Sequence, residues 1–207
     1  MSSATIAKTA SSTPEQSLEH TIQSSKTSLG FWLYLMTDLM LFGSLFAAYI
    51  VLKPGTAGGP GPKEIFELPY VFVETLLLLL SSFACGLALL SAYAKNKTAT
   101  IVWLSVTGAL GLAFLGMEIH EFSKLISEGH SWTTSAFLSG YFGLVGTHGL
   151  HITIGLLWLF SSITYLLYKP MNLRFLQRLT LFAMFWHFLD IVWICIFTIV
   201  YLLGVIG

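Results

Sequence analysis

Residues 137–168 read FLSGYFGLVGTHGLHITIGLLWLFSSITYLLY, without one Asp, Glu, Lys or Arg. About 20 apolar residues suffice to cross the hydrocarbon of a bilayer. A helix this long and apolar on every side has no place in a small soluble core. The stretch nevertheless holds two imidazoles near its middle, His148 and His151, three residues apart and so on one helical face. Gly140, Gly143, Gly146 and Gly149 recur at the same interval, a slowly rotating smooth strip against which another helix can approach. Imidazoles at bilayer depth are costly unless they face protein, so this segment belongs inside a bundle whose other members carry acids.

Four further apolar runs supply them. Spanning helices are expected at about 29–52, 68–94, 99–122, 137–168 and 179–204. They hold Asp38, Glu74, Glu118 with Glu121, the two histidines, and His187 with Asp190 in chain order. The fold class is therefore all-α: an integral membrane protein built as an antiparallel bundle of five transmembrane helices. Only 10% of the 207 residues are charged, against roughly 25% in ordinary globular domains, and no stretch is long enough for a separate aqueous domain. Residues 1–28, rich in Ser and Thr, read as a disordered or extended cytoplasmic tail without the apolar centre of a signal peptide. The Pro- and Gly-dense segment 53–67 reads as an ordered surface loop, and Lys95–Thr98 as a tight hairpin.

Orientation follows from the basic residues. Seven of them (Lys8, Lys26, Lys95, Lys97, Lys169, Arg174, Arg178) fall in the tail, second and fourth connections, against three (Lys53, Lys63, Lys124) in the first and third. That puts the N-terminus in the cytoplasm and the C-terminus outside.

Net charge is zero and no basic patch interleaves with aromatics, which leaves nucleic-acid binding without a basis. No nucleophile elbow, phosphate loop or Cys-x-x-Cys pair is present. Cys85 and Cys195 lie toward opposite membrane faces, too far apart for a disulfide, and read as packing residues.

Three roles are open to Asp38: a proton relay or ion site, a hydrogen-bond partner for a neighbouring helix, or a contact with another subunit or a lipid headgroup. Glu118, His120 and Glu121 cluster near the outer end of the third helix, where such groups cap and solvate more often than they bind metal. Glu74 lies at a similar depth. His148, His151 and His187 could hold a haem between the last two helices. The competing assignment bonds His148 or His151 to Asp38, Asp190 or a backbone carbonyl. His187 and Asp190, three apart among bulky aromatics, form a pair shielded from lipid. On that basis Asp38, His148, His151, His187 and Asp190 form an internal polar core, with Glu74, Glu118 and Glu121 toward the outer side.

Two segments carry a family resemblance: Trp186-His187-Phe188-Leu189-Asp190-Ile191-Val192-Trp193 and Gly146-Thr147-His148-Gly149-Leu150-His151. Together with the acidic pair Glu118 and Glu121, they resemble the signatures of subunit III of the haem–copper terminal oxidases. Asp38 stands where that family usually carries Glu. The five-helix form, Asp38 and the segment 58–82 resemble the cytochrome o (bo-type) ubiquinol oxidase branch in particular. The resemblance implies a non-catalytic accessory subunit of a complex in the bacterial inner membrane that oxidises a quinol, reduces oxygen to water and pumps protons. It implies no catalytic, cofactor or metal ligand in this chain. Haem and copper are expected in the catalytic subunit I, the partner in a hetero-oligomer, and a bound phospholipid is a further expectation. Longer family members hold lipid in a cleft between two extra N-terminal helices and the rest; here a neighbouring subunit would have to supply that wall. Two other functions compete on the residues alone: a haem or metal protein using His148, His151 and His187, and a proton-conducting unit in its own right.

Overall fold

The computed structural model describes the backbone of residues 14–56, 68–129 and 131–206, and side chains from residue 26 to residue 204 within them. Five long helices account for almost all of it: α1 (Pro14–Leu52), α2 (Leu68–Tyr93), α3 (Lys97–Ser127), α4 (Ala136–Tyr168) and α5 (Leu173–Ile196). A π-helical segment, Phe197–Leu202, continues α5, and a last turn, α6 (Leu203–Ile206), follows. All five long helices are apolar enough to cross a membrane, and no strand occurs among the described residues.

Local chemistry sets most of the boundaries. Asn96 caps α3 by accepting from the Ala99 amide at 3.2 Å, and Ser135 caps α4 by accepting from Leu138 at 3.2 Å. The α2–α3 hairpin closes with crossed bonds, Asn96 N–H to Ser91 O and Lys95 N–H to Ala92 O, both 3.0 Å. That arrangement needs a left-handed residue, and Lys95 fills the position at φ 58° where glycine is usual. Gly129, at φ 83°, serves the same end after α3.

Two boundaries depart from the sequence reading. The first helix starts at Pro14 rather than near residue 29, so residues 14–28 are helical and not a loose tail. Proline is tolerated in the first turn, and extending a helix already nucleated in the membrane costs far less than starting one. Residues 1–13 and most of the first loop, 57–67, lie outside the described residues, as does His130 of the third loop. The last helix begins at Leu173 rather than 179, taking Arg174 and Arg178 out of the loop and into its first turns.

α2 packs along α3, α3 along α4, α4 along α5 and α5 back along α2, with α1 laid against α4 and α5. The core is aromatic: Phe42, Phe114, Phe137, Tyr141, Phe182, Trp186, Trp193 and Tyr201 are all fully buried. Trp186 shows how the helices close in. A side chain at Gly155 would stand 2.9 Å from its ring, and one at Gly111 3.0 Å from it. The indole is wedged between the backbones of α3 and α4. The expected glycine strip divides: Gly140 abuts the Tyr49 backbone of α1, Gly149 abuts Glu118 of α3, and Gly143 meets nothing within 4 Å. A three-residue repeat slips about 60° per step on a helix of 3.6 residues per turn, so nine residues carry it from one neighbour to another. Cys85 is buried in the core, whereas Cys195, expected to pack there too, is exposed on α5; both thiols are free.

Candidate functional site: two layers of buried polar groups

One layer lies toward the end of the bundle where α2 and α4 begin. Glu74 from α2, Glu118 and Glu121 from α3, Tyr141 from α4 and Tyr201 from the π segment meet there. The Tyr141 hydroxyl donates to Glu121 Oε1 at 3.2 Å and lies 3.0 Å from the Tyr201 hydroxyl. Tyr201 in turn reaches Glu121 Oε2 at 3.4 Å. The Glu118 carboxyl lies against Gly149, where a Cβ would stand 2.7 Å from its Oε1. Glycine on α4 is therefore what makes room for the acid on α3. Glu74 is fully buried with neither oxygen hydrogen-bonded, and Glu118 Oε2 is likewise unpartnered. Leaving a buried polar group unsatisfied costs about 1–3 kcal/mol, more if it is charged, so this layer is held in place by the packing around it.

A second layer lies near mid-membrane. His151 Nδ1 donates to the Thr147 carbonyl at 2.7 Å, which fixes the proton on that nitrogen and turns Nε2 toward Asp38 of α1, 3.7 Å from Oδ2. The Tyr34 hydroxyl, one turn earlier on α1, lies beside the same carboxyl. His148 takes no polar partner. Its ring stacks on Trp193 at 5.2 Å between centroids, with Phe42 and Phe114 edge-on at 6.3 and 6.0 Å. Three apart on one helix, the two histidines share Phe42, which lies 5.2 Å from the His151 ring, but only His151 has polar partners.

The His187–Asp190 pair is not shielded as the sequence suggested. Asp190 is buried, but His187 is exposed on the outer surface and turns toward α2, its Nδ1 2.6 Å from Ser82 Oγ. The aromatics beside it, Trp186 and Phe188, point into the bundle instead of over the imidazole. Further along the same seam Ser81 Oγ accepts from Trp186 Nε1 and Thr75 Oγ1 from Trp193 Nε1, both at 3.1 Å. These hydroxyls of α2 set the register of α5, and the sequence reading passed over them, as it did Tyr141 and Tyr201. The available signal was a Trp-rich helix, whose buried indole N–H groups each need an acceptor.

Among the described residues no three His, Cys, Asp or Glu side chains are grouped to hold a metal ion. His148, His151 and His187 each serve a different contact, and the Glu118–Glu121 pair faces tyrosines and glycine. The imidazoles are thus spread over separate contacts, while three carboxylates and two phenols gather in the first layer.

Residues 8–205 match the family described as cytochrome c oxidase subunit III. The chain belongs to that family. Cytochrome bo(3) ubiquinol oxidase subunit 3 of Pseudomonas aeruginosa is 56% identical over 86% of this chain and 85% of its own length. The Pseudomonas putida protein of that name is 52% identical over 87% of each chain. Cytochrome c oxidase subunit 3 of Bacillus sp. strain PS3 is 41% identical over 97% of this chain and 96% of its own. Membership thus spans oxidases named for a quinol and for cytochrome c, and both Pseudomonas relatives carry the ubiquinol name. The five spans make this subunit III homologue a multi-pass membrane protein.

Proposed function

We propose that this chain is the non-catalytic accessory subunit III of a proton-pumping cytochrome o-type ubiquinol oxidase. The observation that carries the assignment is the 56% identity, over 178 residues, to a protein named as that subunit. The polar layers are compatible with it, because among the described residues no three His, Cys, Asp or Glu side chains are grouped to hold a metal ion. Quinol oxidation and oxygen reduction fall to a partner catalytic subunit that holds the haems and copper. This chain supports assembly and stability of that partner and shapes its lipid and proton surroundings, with phospholipid held against the bundle. The complex sits in the bacterial inner membrane, N-terminus in the cytoplasm, as the seven-to-three distribution of basic residues favours.

Extraction in mild detergent with this chain as bait tests the assignment. It should bring down a larger haem-bearing membrane protein, while the isolated chain shows neither a haem spectrum nor stoichiometric iron or copper. Metal on the lone polypeptide would instead favour the haem- or metal-binding alternative through His148, His151 and His187.

A further inference from the structure

His187 stands midway along the span Leu173–Leu202, about 20 Å from either end at 1.5 Å per residue. It is the deepest exposed imidazole or charged side chain among the described residues. Other polar groups on the outer surface avoid the problem of facing hydrocarbon. Thr37, Ser44, Ser105, Thr164 and Thr198 each donate to a carbonyl three or four residues back on their own helix, at 2.7–2.8 Å. His187 has no such refuge. Nδ1 is committed across the seam to Ser82, and nothing among the described residues hydrogen-bonds Nε2. Beside Ser82 lies the Asp190 carboxyl, nine-tenths buried, with Oδ1 unpartnered. The Nδ1–Ser82 contact fits either ring tautomer. In both, Nε2 faces outward without a partner, as a bare lone pair or as an N–H.

The surface around it is shaped for a close neighbour. Gly86, one turn along α2 from Ser82, has nothing within 4 Å of where a Cβ would stand. Ile191, one turn along α5, is 60% exposed. We propose that this α2–α5 seam is the docking site for a transmembrane helix of another oxidase subunit, and that the helix presents a hydrogen-bonding side chain to His187 Nε2 at mid-membrane depth. The inference rests on the accessory-subunit assignment above. Lipid tails offer neither donor nor acceptor, so a polar ring nitrogen facing hydrocarbon goes unsatisfied. A second copy of this chain related by a two-fold axis would bring two Nε2 atoms of the same tautomer together, lone pair on lone pair or N–H on N–H. A helix bearing Ser, Thr, Asn or Gln satisfies the site in either tautomer and can come close at Gly86.

The test is photo-crosslinking in native membranes holding the full complex. A diazirine amino acid replaces Ile191, with the exposed Met40 of α1 and Leu157 of α4 as comparison positions. Position 191 should form an adduct with another oxidase subunit. His187→Phe should lower its yield several-fold, and His187→Gln, which keeps an acceptor, should lower it less. Lipid-only labelling at 191, or an adduct with a second copy of this chain, would overturn the proposal, as would an unchanged yield in His187→Phe. If Met40 or Leu157 captures an oxidase subunit and 191 does not, the seam is wrong but the accessory assignment stands. If none does and no haem protein co-purifies, both fail.

Discussion

Gly155→Ala is the sharpest probe of how this bundle is held together. In an unhindered helix, alanine in place of glycine stabilises by about 1 kcal/mol. Here the added Cβ would lie 2.9 and 3.1 Å from two ring atoms of Trp186 and 3.3 Å from the Phe185 ring. The indole cannot retreat, because Gly111 already lies against its far edge and Nε1 is anchored to Ser81. Overpacking of this kind costs about 1–3 kcal/mol, enough to cancel the propensity gain of about 1 kcal/mol and leave a net loss of up to about 2 kcal/mol. Gly116→Ala is the matched control: it lies on the exposed face of α3 with nothing within 4 Å, and should stabilise by up to about 1 kcal/mol. Unfolding of the purified chain in mixed detergent micelles reads both. A double-mutant cycle with Trp186→Phe should recover most of the penalty, since the smaller ring vacates the space the methyl needs. Equal effects of Gly155→Ala and Gly116→Ala, or no coupling to Trp186, would refute the wedge.

Other outcomes follow from the same contacts. Lys95→Gly should stabilise the α2–α3 hairpin by about 1 kcal/mol, because only the left-handed backbone at φ 58° changes its cost; thermal unfolding checks it. Thr75→Val should cost about 1–3 kcal/mol by orphaning the Trp193 N–H, and Thr75→Val with Trp193→Phe should cost less than the two singles together, as measured in the same micelles. His148→Phe should leave stability unchanged or higher, since it removes two unpartnered buried nitrogens and keeps an aromatic between Phe42, Phe114 and Trp193. Asp38→Asn should leave the haem content of the purified complex nearly intact while shortening its endurance during turnover, read from optical spectra and progress curves of oxygen uptake.

Most of the architecture could be read from the chain before any coordinates. Five long apolar runs admit no other fold, and the residues that cap α3 and α4 stand where the runs begin. The start of α1 was missed because Ser and Thr favour loops in isolation, while a helix propagating out of the membrane overrides that preference in residues 14–28. The polar residues were visible as a set, but their grouping was not. Whether a serine bonds its own carbonyl, as Ser105 does, or catches an indole from the next helix, as Ser81 does, depends on which neighbour the fold brings up. His187 was misplaced for a related reason: a histidine among tryptophans looks sheltered until the rotation of its helix is known.

The π-helical stretch Phe197–Leu202 has a numerical consequence. Its wider turn accommodates a residue more than the α pattern would, and beyond it every side chain is rotated by roughly 100°. Tyr201 meets Glu121 only because of that offset. Removing any one residue from 197–200 should straighten the stretch into ordinary helix and leave the phenol on Glu121, whereas forcing the full-length stretch into α geometry would swing it out toward the lipid, with no change in composition that a hydropathy plot would notice. In this part of the chain the length of the peptide carries information that the identity of its side chains does not.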